Sequence, residues 1–82
     1  MTVEWSAGTK HATAVETVQT ADYEGLELKV TRDRYGVRWS VWGRLDDFDV
    51  SSYGWNAETP AAARRVAQKA ARRMRALGVT GR

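Results

Sequence analysis

Polar and apolar residues alternate with a period of two through the middle of the chain. The alternation runs over residues 26–31, 37–42 and 48–53. It is typical of β-strands that bury one face and expose the other. The stretches between them, RDRYG at residues 32–36 and LDD at residues 45–47, are rich in turn-forming residues. The pattern therefore predicts three antiparallel strands connected as a meander.

The period changes to that of an α-helix between Thr59 and Gly78. Thr59 provides an N-cap hydroxyl, Pro60 fits the first helical position, and Gly78 suits the position that follows a helix. The apolar residues of this segment fall on one stripe, formed by Ala63, Val66, Ala67, Ala70, Met74 and Leu77. Because most of them are alanines, the helix can approach its partner closely, and the large core side chains must come from the sheet.

Together these elements predict an α+β fold of two layers, in which a three-stranded antiparallel sheet packs on one C-terminal amphipathic helix. Residues 23–82 form this single β-β-β-α domain. Residues 1–22 form an N-terminal arm whose Thr- and Val-rich part, residues 11–20, leaves two alternatives open. The arm is either flexible or provides an additional strand that covers part of the sheet.

The alternation predicts opposite faces of the sheet for Trp39 and Trp42. If Trp39 packs beneath the alanine stripe, Trp42 lies on the sheet face turned away from the helix, which we call the far face. The arm or a second copy of the chain could cover Trp42 there, and a bulge at Gly43 would break the alternation. The residues predicted on the far face are Lys29, Thr31, Arg38, Trp42, Arg44, Ser51 and Tyr53.

Charge is distributed unevenly along the 82 residues, although the formal net charge is only +3. Residues 1–57 hold nine acidic against six basic side chains, a net of −3, and residues 58–82 hold one acidic against seven basic, a net of +6. Such a concentration favours polyanions or acidic protein surfaces as partners. Five of the helix cations are candidate contacts, namely Arg64, Arg65, Lys69, Arg72 and Arg75.

The residues that catalysis or metal binding would need are few. The chain has no cysteine, its single histidine is His11 in the arm, and the carboxylates of residues 46–49 suit a hairpin turn. Nucleotide-binding, zinc-protease and nucleophile-elbow motifs are absent. We therefore expect no catalytic residues, no metal and no cofactor. The first residues resemble neither a signal peptide nor a membrane span, so we expect a soluble cytoplasmic protein, in the host cell's cytoplasm if it is phage-encoded.

The run from GLELKVTRDRYGVRWSVWG through YGWNAETPAAARRVAQKAARRM resembles small β-β-β-α proteins of actinobacterial phages and mobile elements. Its helix entry, with Thr59, Ala62 and Ala63, is also similar to that of HicB-like antitoxin domains, although the proline-rich stretch after their second strand is missing. The sheet resembles the arm-binding domains of tyrosine integrases, which read DNA with an aromatic and basic sheet face. That resemblance implies reading roles for Arg38, Trp42, Arg44 and Tyr53.

These observations predict a small non-enzymatic, phage-type binding protein that engages nucleic acid. Two surfaces are candidates, the far face with the four reading residues just named and the basic arc of the helix. The alternative is a protein-interaction module, either a regulator or inhibitor of an acidic host protein or a HicB-like antitoxin. A homodimer through an exposed sheet edge or the far face is compatible with either function.

Overall fold

Tight turns fold the chain into an antiparallel meander of four strands. The computed structural model describes residues 3–6 and 15–81, with side chains from residue 17 onward in the second range. The elements are β1 (Val15–Tyr23), β2 (Leu26–Asp33), β3 (Gly36–Leu45), β4 (Phe48–Gly54) and α1 (Pro60–Ala76). The strand order is β1-β2-β3-β4, and α1 packs on one face. The predicted α+β fold is confirmed, and the arm provides the fourth strand, β1.

Several turn residues have a positive φ. Glu24 and Gly25, at φ 49° and 91°, connect β1 to β2, and Asp46, at φ 54°, begins the turn between β3 and β4. Glycine and, less readily, aspartate enter this left-handed region. Two-residue turns leave little freedom in strand pairing, so they determine the register of the hairpins.

The core lies between the two central strands and the alanines of α1. The register pairs Leu28 with Val41 and Val30 with Trp39, which joins the large apolar side chains of β2 and β3 in one layer. The buried residues of this core are Leu26, Leu28, Val30, Val37, Trp39 and Val41 of the sheet and Ala63, Ala67, Ala71 and Met74 of the helix. Small helix residues over large sheet residues bring the two layers close together, as the sequence predicted.

The helix begins and ends at the predicted signals. The Thr59 hydroxyl accepts a hydrogen bond from the Ala62 N–H at 3.1 Å, and Gly78 follows the helix with φ 97°. The predicted stripe is wrong at its last position, because Leu77 is 72% exposed whereas Ala71 is fully buried. The helix packs on β2 and β3, so Leu77 points towards the uncovered β4 side. No helix within residues 3–6 and 15–81 is long and apolar enough to cross a membrane.

Segments at both ends of the chain extend the sheet. Ser6 N–H donates to Thr20 O at 2.8 Å, and Trp5 pairs with Ala21, so residues 3–6 run along the outer edge of β1. At the other end, the backbones of Thr80 and Arg44 exchange two hydrogen bonds of 2.8 Å. The chain after the helix therefore lies beside the end of β3.

Gly43 is the point where this C-terminal segment crosses the sheet. Its pairing with Val50 is regular, so the bulge considered for Gly43 does not form and the alternation of β3 is unbroken. A β-carbon on Gly43 would stand 2.5 Å from Val79 Cγ1 and 2.9 Å from Thr80 O. Glycine is needed here because the segment passes too close for a side chain.

We expect Gly43→Ala to lower the free energy of unfolding by about 1–3 kcal/mol, the usual cost of overpacking a core. Urea denaturation followed by circular dichroism measures this loss. Adding Val79→Ala removes the Cγ1 contact, so the second substitution should cost less in the Gly43→Ala background than in the parent protein. Equal costs in both backgrounds would show that the two residues are not coupled.

Candidate functional site

Trp39 and Trp42 lie on opposite faces of the sheet, as the alternation predicted. Trp39 is 7% exposed in the core, and its Nε1–H donates to Asn56 Oδ1 at 2.8 Å. A buried indole needs such a partner for its polar edge. Trp42 is 39% exposed on the far face. One tryptophan therefore belongs to the core and the other to the surface.

A shallow groove of about 350 Å³ lies on the far face beside Trp42. We call it the far-face groove, and the side chains around it are Lys29, Thr31, Arg38, Trp39, Ser40, Trp42, Tyr53 and Trp55. Two are cations and none is acidic, and of the four aromatic side chains all but the buried Trp39 are exposed. Stacking surfaces and positive charge therefore occur together in one depression.

The strand register explains why a groove forms here. Thr31 pairs with Arg38, and Ser40 lies between Lys29 and Tyr53 on the neighbouring strands. Thr31 and Ser40 are short and form the floor of the groove, whereas the longer side chains of Lys29, Arg38 and Tyr53 rise around them. The Arg38 guanidinium lies 4.9 Å from the centre of the Trp55 ring. This is a cation–π contact, and it holds the Arg38 and Trp55 side chains together at one side of the groove.

The rest of the far face has a different electrostatic character. Glu27 pairs with Trp42, Asp49 pairs with Arg44, and Asp22 pairs with Glu27. Acidic residues therefore gather beyond Trp42, on the side away from Arg38. The far face is divided into a basic, aromatic half and a half of mixed charge, and Trp42 lies at the boundary between them.

The structure brings together three of the four predicted reading residues. Arg38, Trp42 and Tyr53 line the far-face groove, whereas Arg44 lies apart from it, opposite Asp49. None of the described arm residues, in the 3–6 segment or in β1, lines the groove. The alternative in which the arm covers this surface therefore finds no support in the described part of the chain.

The predicted basic arc of the helix divides into two groups. Arg64 Nη1 donates to Gln19 Oε1 at 2.7 Å, and Arg75 Nη1 donates to Val79 O at 2.9 Å. The Arg75 Nε also lies 3.7 Å from Glu24 Oε2. These two arginines connect α1 to β1 and to the C-terminal segment. The remaining three, Arg65, Lys69 and Arg72, are exposed, and Lys69 lies on the flank of α1 beside β4.

Two exposed groove residues, Lys29 and Trp55, were absent from the predicted site. The alternation predicts the far face for Lys29 but no binding role. Trp55 follows β4 and shares the odd numbering of Asp49, Ser51 and Tyr53. Continuing the period of two past the strand end would have identified it.

No group of three His, Asp or Glu side chains in the described ranges is arranged to hold a metal ion, and His11 lies outside those ranges. No protein-family model, no curated protein and no solved structure matches the chain.

The positive charge of the far-face groove predicts that an anion quenches tryptophan fluorescence more strongly than a cation does. Lys29 and Arg38 should attract iodide and repel caesium, so iodide should quench the exposed indoles more strongly. Replacing Trp42 and Trp55 together with Phe should remove most of the iodide-quenchable emission, and Trp39→Phe should leave it nearly unchanged. Equal quenching by the two ions would contradict the positive field. Circular dichroism checks that each variant is folded.

Proposed function

We propose that this chain is a non-enzymatic protein that binds single-stranded nucleic acid in the far-face groove. The supporting observation is the composition of that groove, which combines Trp42, Tyr53 and Trp55 with two cations and no acid. Sequence-tolerant binders of single strands combine aromatic platforms and positive charge in this way.

The two kinds of groove residue have complementary roles. An exposed aromatic ring stacks on an unpaired base, which contributes about 1–3 kcal/mol per base. Lys29 and Arg38 line the same groove, so they would contact the backbone phosphates of a strand whose bases stack there. Arg38 also lies against Trp55, so its guanidinium is already oriented before a ligand arrives.

A single strand suits this face better than a duplex. Bases within a duplex are stacked on one another and do not offer their faces to Trp42 or Tyr53. The groove crosses from β2 to β4, a distance of about 10 Å at the usual strand spacing. The second strand of a duplex would extend over the mixed-charge half, where Glu27 and Asp49 make the surface less positive than in the groove.

The sheet is also a better candidate than the helix. Arg64 and Arg75 make hydrogen bonds within the protein, so part of their donor capacity is used. The helix has no aromatic residue, so its exposed cations offer charge without a stacking surface. The far face and this helix surface point in opposite directions, and a short strand cannot contact both.

Fluorescence anisotropy of a labelled single-stranded oligonucleotide, titrated with the protein at low and near-physiological salt, tests the proposal. We expect Trp42→Ala to weaken binding about 5- to 150-fold, the equivalent of one lost stacking contact. Trp42→Phe should retain most of the affinity because it keeps an aromatic face. Circular dichroism must show that both variants are folded.

The salt dependence identifies the cations in contact with phosphate. If Lys29 and Arg38 neutralise two phosphates, log K should fall with log salt with a slope of about −1.4, and replacing both residues with Gln should abolish that slope. The matched control replaces Arg65 and Arg72 of the helix with Gln and should leave the slope unchanged. The proposal is wrong if the helix variant alone loses binding, or if no oligonucleotide binds at low salt.

A further inference from the structure

The two outer strands of the sheet differ in how their edges are covered. Residues 3–6 run along β1, and Trp5 packs there against the core on the helix side of the sheet. No residue in the described ranges pairs with the outer edge of β4. An unpaired edge presents backbone donors and acceptors that can accept another strand.

A second groove, of about 430 Å³, lies between α1 and β4. We call it the β4 groove, and its floor and walls are Trp39, Ser52, Val66, Ala70, Met74 and Leu77. It exists because α1 packs on β2 and β3 and leaves the helix-side face of β4 uncovered. Lys69 and Arg73 also line this groove, and no acidic side chain does.

Exposed apolar side chains mark the end of the β4 groove near the turn between β3 and β4. Phe48, the first residue of β4, is 73% exposed, and Leu77 is exposed to a similar extent. Leu45 pairs with Phe48 and approaches the end of the helix at Gly78. Large apolar side chains beside an open strand edge are typical of a docking surface.

We propose that β4 and the β4 groove bind an acidic, extended segment of another protein, which adds to the sheet as a fifth strand. Main-chain hydrogen bonds to β4 would provide affinity, as in other cases of strand addition. Alternate side chains of the segment would point towards α1, where an apolar one enters the groove and acidic ones reach Lys69 and Arg73. Trp5 at the opposite edge shows that an extended segment can place a large aromatic ring against this core.

A second copy of the chain fits this surface less well. If two β4 strands paired, α1 of each copy would still lie over its own β2 and β3. Four strand spacings would then separate the two helix axes, about 19 Å, whereas packed helices lie about 8–10 Å apart. The β4 groove would stay open, and Lys69 and Arg73 of both copies would line the same gap without any acidic residue to balance them.

The test is an NMR titration of the ¹⁵N-labelled full chain with the synthetic peptide TETWTET, which is as long as β4. This probe places Trp between two Glu on one face and neutral Thr on the other. We expect amide shifts in Phe48–Gly54 and around Val66 and Ala70, with few changes at Arg38 or Lys29. The control peptide TKTWTKT, with Lys in place of Glu, should bind about tenfold more weakly.

Three variants determine which feature of the surface binds the peptide. Ala70→Phe should fill the groove from within and weaken TETWTET binding about tenfold, while circular dichroism shows an intact fold. Replacing Lys69 and Arg73 together with Glu should weaken it to a similar extent. Replacing Arg65 and Arg72 with Glu makes the same change of net charge outside the groove and should have little effect.

Four results would overturn the proposal. They are no β4 shifts at millimolar peptide, equal affinity for the two peptides, β4 shifts that depend on protein concentration alone, and shifts at Val66 and Ala70 produced by an oligonucleotide. The third would show that a second copy occupies the edge, and the fourth would assign the groove to nucleic acid. An oligonucleotide in the far-face groove would shift Tyr53 but not Val66 or Ala70, which line only the β4 groove, so the two proposals can fail independently.

Discussion

The close packing of an alanine-lined helix on two central strands is the interaction on which the rest of the structure depends. Ala63, Ala67 and Ala71 are fully buried, so the helix lies directly on the large side chains of β2 and β3. The short helix residues give the helix little lateral reach. It therefore covers two strands of a four-stranded sheet, and the outer strands must be covered by other segments of the chain or by a partner.

Different segments cover the parts of the sheet that the helix leaves open, except at β4. Residues 3–6 cover the edge of β1 with Trp5, and Thr80 pairs with the end of β3, where Gly43 leaves room for Val79. Arg64 and Arg75 connect the helix to these neighbouring segments. At β4 the described chain provides no such element. The asymmetry explains why the apolar surface of the fold is concentrated beside this strand.

The far-face groove has a separate origin, because it depends on the pleat of the sheet rather than on the helix. A strand that directs Val37, Trp39 and Val41 into the core must direct its intervening residues outward. The cross-strand register then places Ser40 between Lys29 and Tyr53, and Arg38 against Trp55. The two candidate binding surfaces therefore lie on opposite faces, and binding at one leaves the other accessible.

The sequence by itself determined the elements whose signals are local. Periods of two and of 3.6 residues identified β2, β3, β4 and α1, and Thr59 and Gly78 marked the ends of the helix correctly. The period of two also predicted opposite faces for Trp39 and Trp42, because successive side chains of a strand point to opposite faces of the sheet.

Only the tertiary structure decided how these elements meet. It placed Trp55 beside Arg38 in the far-face groove and left Arg44 outside, it gave Arg64 and Arg75 partners within the protein, and it left Leu77 exposed. Periodicity assigns a residue to a face, but strand register and the position of the helix over the sheet decide which residues are neighbours on it. Those quantities come from packing between segments distant in sequence, which no local pattern records.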